Sequence, residues 1–179
     1  FADPRWWAGM PTTEAIVSKP AFPFWNHPRE RVSWYQAIAF CRWLSHKLGY
    51  AVDLPHEYEW EVAARYPDGR FYPWGNDFDG KKANTQESDF RQTMPRAAFP
   101  AGRNPALDLY DLSGNVWEWC RNQYEDPTSM TVDTGEAQRA VRGGSWCDGH
   151  IPARAAHRLG LFPGCRYLNV GFRVWRRSR

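Results

Sequence analysis

The chain has 179 residues, 42% of them hydrophobic, with a formal net charge of +3. That is enough apolar material for one domain with its own core and too little charge to draw nucleic acid. It contains no apolar run long enough to span a membrane, which leaves no membrane segment in the reading. It starts abruptly at Phe1, without a signal peptide, so the expectation is a single domain, residues 1–179, lacking its N-terminal portion. Four cysteines, at 41, 120, 147 and 165, form no CxxC pair and are too sparse for a disulfide scaffold. Reduced, cytoplasmic chemistry is expected. Eleven tryptophans, many beside Gly, Pro or Asn, predict a loop-rich fold pinned by buried aromatics.

Residues 1–31 are rich in Pro and aromatics and are expected to be irregular. A helix follows. Ser33 can cap it, Gln36 completes a capping box, and Gly49 suits the C′ position. Trp34, Ala37, Ile38, Cys41, Leu44 and Leu48 recur at helical spacing and make one apolar face. Leu54-Pro55 opens a second helix, buried through Trp60, Ala63 and Ala64. Its early Glu57, Glu59 and Glu61 favour the positive end of the helix dipole and are expected on a solvated face. From Tyr66 to Pro105 turn dipeptides dominate.

Asp108–Trp119 reads DLYDLSGNVWEW, a tight Gly114-Asn115 turn followed by a short buried strand. Asn115 and Glu118 offer oxygens that would suit calcium. Equally, Asn115 could hold the turn while Glu118 pairs with an arginine. Residues 125–138 form a polar loop.

The closing stretch from Arg142 to Arg173 is the most unusual. Gly143-Gly144 and Trp146 at one end, and Gly171, Phe172 and Val174 at the other, are suited to a fixed backbone. The residues between them show neither helical nor strand periodicity, and so read as loop or short irregular strand. A zinc site from Cys147, His150, His157 and Cys165 matches no standard spacing. From Cys147 to Val174 there is no Lys, Glu, Gln, Met or Trp, although these types account for 31 of residues 1–146. Composition predicts about six in this window. None of the five has a codon ending in C, which is the pattern left when AAC codons are randomised at their first two bases. Chance in a short loop is the plain alternative.

VSWYQAIAFCRWLS, LPHEYEWEVAAR, YPWGN, ANTQES, LYDLSGNVWEWC, RGGSW and GFRV occur in that order over roughly residues 30–175. In this the chain resembles the formylglycine-generating-enzyme (sulfatase-modifying-factor) type of C-type lectin fold. The resemblance implies an α+β domain with two helices, short antiparallel sheets and many long loops. It also implies calcium near Asn84-Thr85 and Gly114–Glu118, giving Asn84, Asn115 and Glu118 as candidate metal residues with no other cofactor required. Catalytic members of that family oxidise a substrate cysteine with two copper-holding cysteines separated by four residues. Here Pro152 stands five positions after Cys147, and Cys165 lies far downstream, so the close pair is absent and an enzyme is not expected.

The closing stretch is similar to the variable proteins of bacterial diversity-generating retroelements, which keep RGGSW and GFRV and rewrite codons between them. By that resemblance the ligand-binding, variable positions are Cys147, Asp148, Gly149, His150, Ile151, His157, Leu159, Leu161, Phe162, Gly164, Cys165, Tyr167, Leu168 and Asn169. Arg154, Ala155, Ala156, Arg158 and Arg166 would be scaffold, the arginines holding loop carbonyls or acids such as Asp111. The expected partner is a protein or other macromolecular ligand, bound without chemistry. A fixed structural or sensor module of a larger protein is the alternative, and a formylglycine-generating oxidase comes third. Two geometric expectations follow. The separate pieces of 147–169 should share one exposed face, and Trp146, Phe172 and Trp117 should be buried.

Overall fold

A computed structural model describes residues 3–130 and 132–177; Phe1, Ala2, Thr131, Ser178 and Arg179 lie outside it, including the end of the basic tail. The N-terminal stretch is irregular apart from two 3-10 turns, Pro4–Trp7 and Thr12–Ala15. Helix α1 spans Trp34–Leu48. Its capping box forms as the sequence predicts, with Ser33 Oγ accepting from Gln36 N–H and Gln36 Oε1 accepting from Ser33 N–H. Gly49 ends it in the left-handed region at φ 72°. Trp34, Ala37, Ile38 and Cys41 are buried, but Leu44 is half-buried and Leu48 is exposed. Ser45 secures the last turn instead, its hydroxyl meeting Cys41 O, Val52 O and Val52 N–H.

Helix α2 spans Glu57–Arg65, capped by His56 with Glu59 as its box partner. Here the expectation of a solvated glutamate face fails. Glu57 is buried and receives two 2.7 Å hydrogen bonds from Arg158. Glu59 pairs with Arg177, and Glu61 pairs with Arg65 and Arg142. The three acids fan round the helix, and each direction meets an arginine from a distant part of the chain.

A two-stranded ribbon joins β1 (Val52–Asp53) to β6 (Trp175–Arg176). The main sheet contains β2 (Trp117–Gln123), β3 (Arg139–Arg142), β4 (Arg158–Leu161) and β5 (Val170–Gly171), in the order β4-β3-β2-β5. Its antiparallel pairs are β2–β3 and β3–β4, and β5 runs parallel to β2. Side-chain alternation splits the core in two. Trp117, Trp119, Val141 and Leu161 join α1 on one side of the sheet, and Cys120 and Ala140 join Trp60 and Ala64 of α2 on the other. Buried indoles also hold backbone: Trp34 Nε1 donates to Cys120 O and Trp119 Nε1 to Val32 O, both at 2.9 Å. Among the described residues no helix is long and apolar enough to cross a membrane.

Candidate recognition surface

Two turns launch the C-terminal segment. Gly114 (φ 78°) and Asn115 (φ 67°) are both left-handed, and Gly114 N–H donates to Gly143 O. Asn115 N–H donates to Asn84 O at 2.7 Å, and Asn115 O accepts from Trp146 N–H at 3.0 Å. Its side-chain amide copies a strand neighbour, accepting from Met94 N–H and donating to Met94 O. At Gly144 (φ 70°) a Cβ would sit 2.9 Å from Ala153 N. The fixed glycine and asparagine motifs thus meet one another and set where residue 147 begins.

From there the segment folds back on itself. In β4, Arg158 and Gly160 pair with Arg142 and Ala140 on the α2 side. Leu159 and Leu161 pair with Val141 and Arg139 and turn to the α1 side, where the His157 ring lies 5.9 Å from that of Trp117. The return loop is tied through its backbone. Pro163 O accepts from Trp34 N–H, Tyr167 O from Arg31 N–H and Asn169 O from Trp117 N–H. Asn169 Nδ2 then closes the circuit, 3.1 Å from Ser145 Oγ and 3.3 Å from Cys147 Sγ. Residues 148–150 are pinned separately, by Gln86 N–H on Asp148 O, Tyr72 OH on His150 O and the Glu87 carboxylate on His150 N–H.

Cys147, His150, Ile151, Leu159, Phe162, Gly164, Tyr167 and Leu168 are exposed. Asp148, Gly149, His157, Leu161, Cys165 and Asn169 are half-buried, while the intervening Ala153, Ala155 and Pro163 are buried. Several particulars differ from expectation. The Asp148 carboxylate points inward, taking hydrogen bonds from Trp117 Nε1 (2.9 Å) and the Ser145 hydroxyl. Leu161 and Cys165 lean on the core. Trp117 is buried, but Trp146 and Phe172 are half-buried, Trp146 meeting Phe22 edge to face. Arg158 does hold Glu57 and Tyr124 O, and Arg166 holds Glu14 at 2.8 Å. Arg154 instead is exposed and stacks over Phe71, Ala156 is exposed, and Asp111 faces Arg173 rather than these arginines.

Glu14, which braces the segment from outside, carries no pattern in the sequence that could have marked it, whereas Glu87 lies within the ANTQES motif although its contact with His150 is not readable from it. Ser145 and Trp117 lie within motifs that did stand out, but their shared contact with Asp148 is not readable from spacing.

Burial, aided by Arg142, pushes the His157 imidazole below its usual range. Cys165, hydrogen-bonded to the Tyr167 hydroxyl at 3.7 Å, pushes that hydroxyl up. Burial raises Cys41 and Cys120, keeping both as unreactive thiols. Cys147, His150, His157 and Cys165 each keep separate partners, and no group of three His, Cys, Asp or Glu side chains suited to a metal occurs among the described residues. The calcium candidates gather in part, Asn84 meeting Asn115 through their side chains. Asn84 Oδ1 accepts from Ser88, Asn115 Oδ1 accepts from Asn84 Nδ2 and Met94 N–H, and Glu118 is gripped at both oxygens by Arg173. As placed, these side chains do not fit a calcium cage of six to eight free oxygens.

Two helices, small sheets and long loops around this segment define an α+β, C-type-lectin-like fold. Residues 18–178 match the sulfatase-modifying factor enzyme 1-like domain, and the chain belongs to that family. It is 35% identical to the inactive C-alpha-formylglycine-generating enzyme 2 of Mus musculus, over 94% of this chain and 56% of that protein. It is also 35% identical to the serine/threonine-protein kinase Pkn1 of Chlamydia trachomatis, over 88% of this chain and 25% of the kinase. The formylglycine-generating enzyme of Streptomyces coelicolor is 35% identical, over 83% of this chain and 52% of the enzyme. The chain therefore spans about half the length, or less, of these relatives. Among solved structures, PvdO from Pseudomonas aeruginosa superposes with a TM-score of 0.77 at 27% identity, covering 91% of this chain and 67% of that one. Treponema denticola variable protein 1 superposes with a TM-score of 0.70 at 24% identity, covering 94% and 79%, a likeness of fold.

Proposed function

We propose that the chain is a ligand-binding protein whose recognition surface is the segment 147–169, diversified by a retroelement and carrying no catalysis. The observation that carries this reading is the division of labour within that segment. Exposed Ile151, Leu159, Phe162, Tyr167 and Leu168 alternate with buried Ala153, Ala155 and Pro163, while backbone hydrogen bonds from Arg31, Trp34 and Trp117 hold the loop whatever its side chains are. Rigid aromatic and aliphatic anchors mixed with polar groups on a fixed frame are what recognition surfaces use. Asp148, turned inward, contributes to the frame. Cys147 and Cys165 have different neighbours, Ser145 and Asn169 for one and Tyr167 for the other, which favours binding over thiol oxidation. The likeness to a mammalian relative described as inactive points the same way.

Sequencing the genomic neighbourhood tests the reading. A reverse transcriptase with a near-copy of the 147–169 coding sequence, holding AAC at the codons for the exposed positions, is the expected result. The likeness to chlamydial Pkn1 kinases favours a second reading, a fixed module of a longer protein. Absence of both the template copy and the reverse transcriptase would decide for it.

A further inference from the structure

The calcium implied by family resemblance meets a competitor inside this chain. Arg173 follows β5 and sends its guanidinium back beneath β2. Its Nε lies 2.5 Å from Glu118 Oε2 and its Nη2 lies 2.6 Å from Glu118 Oε1. The same Nη2 is 3.2 Å from the carbonyl oxygens of both Tyr110 and Asp111. Two carboxylate and two main-chain oxygens are the hard donors a divalent cation takes, and here a planar cation bridges them. Trp60 Nε1 adds a further hydrogen bond to Glu118 Oε2.

We propose that Arg173 is a built-in cation standing where calcium would bind, so that the 110–118 turn keeps its shape without metal. Glu118 is almost wholly buried, and an unpaired carboxylate there would be strongly destabilising. The bidentate guanidinium neutralises it and cross-links it to the turn. A divalent ion would have to displace that guanidinium or sit against it, one cation beside another in a medium of low polarity. Access is not what excludes the ion. A cavity of about 790 Å³, lined by Tyr110, Asp111, Glu118 and Arg173 among others, reaches the site. The consequence runs to the recognition surface, because Gly114 and Asn115 in this turn position Gly143 and Trp146. Ligand binding should then be independent of calcium whether or not the segment is diversified.

The test is thermal unfolding of the wild-type chain and of Arg173→Met, each in EDTA and in excess calcium chloride. Wild-type Tm should agree in the two buffers to within about 1 °C. Arg173→Met should melt lower in EDTA and regain at least about 5 °C with calcium, which then takes the vacated oxygens. A wild-type Tm that rises with calcium, or stoichiometric calcium retained by the purified wild type, overturns the proposal. So does an Arg173→Met chain that calcium fails to rescue, including one that stays unfolded in both buffers. Arg173→Met folding only with calcium supports it.

Discussion

The two faces of β4 tolerate opposite things. On the α2 side, Arg158 places Nε and Nη2 each 2.7 Å from a Glu57 oxygen and lies over the Tyr124 ring. Beside it, a Cβ on Gly160 would come within 2.6 Å of Gln138 Oε1 and 2.7 Å of the Tyr124 ring. On the α1 side, one residue away, Leu159 is exposed and Leu161 half-buried, and Phe162 beyond them stands clear. One strand therefore supplies scaffold and display at alternate positions. A face is fixed where every direction from the backbone meets a committed partner, and free where the backbone alone is held.

The largest effect should come from breaking the fixed face at Arg142. This side chain is fully buried, and its guanidinium donates to Glu61 and to the carbonyls of Ala156 and His157, the middle of the displayed segment. It also stacks over Trp60. Arg142→Ala removes a buried guanidinium from between Glu57 and Glu61 and takes the donor from two loop carbonyls, and should cost about 3–5 kcal/mol in urea titration. A loss under about 1 kcal/mol would mean that the α2 face does not set the frame.

What the sequence discloses follows the range of the contacts involved. The capping box of α1 and the Gly114-Asn115 turn are local, a few residues across, and both form as read. The glutamates of α2 were misread because their partners are far off in the chain: Glu57 meets Arg158 and Glu61 meets Arg142. The inward contact of Asp148 was hidden for the same reason. Its composition-level neighbours are variable candidates, and its partner Trp117 lies in a different motif. Leu48 shows the reverse error, where a perfect helical period runs past the end of the core it should cover. Periodicity reports which side of an element faces inward, but not how far the inside extends.

A middle-sized effect sharpens the comparison with one substitution made twice. Gly160→Ala pushes a methyl into Tyr124 and Gln138 and should cost about 1–3 kcal/mol, the usual range for overpacking. At Gly164 the nearest atom to a new Cβ is Glu14 Oε1 at 3.6 Å, ordinary contact distance. Gly164→Ala should change stability by less than about 0.5 kcal/mol. Equal losses at 160 and 164, measured by the same denaturant titration, would erase the distinction between frame and display.

The smallest effect is expected at Tyr167, where side chain and backbone have separate roles. The ring is half-exposed, and its hydroxyl meets Cys165 Sγ at 3.7 Å, a weak partner. The structural work at this residue belongs to its carbonyl, which accepts from Arg31 N–H at 3.1 Å and survives any substitution other than one that moves the chain. Tyr167→Ala should therefore cost less than about 0.5 kcal/mol, although it removes one of the larger rings on the surface. Asn169→Ala makes the informative neighbour. It keeps the carbonyl bond to Trp117 N–H but loses the amide contacts to Ser145 Oγ and Cys147 Sγ, for about 1 kcal/mol. If Tyr167→Ala instead costs as much as or more than Asn169→Ala, the Tyr167 ring is part of the fold, and the exposed face is not free to vary at its centre.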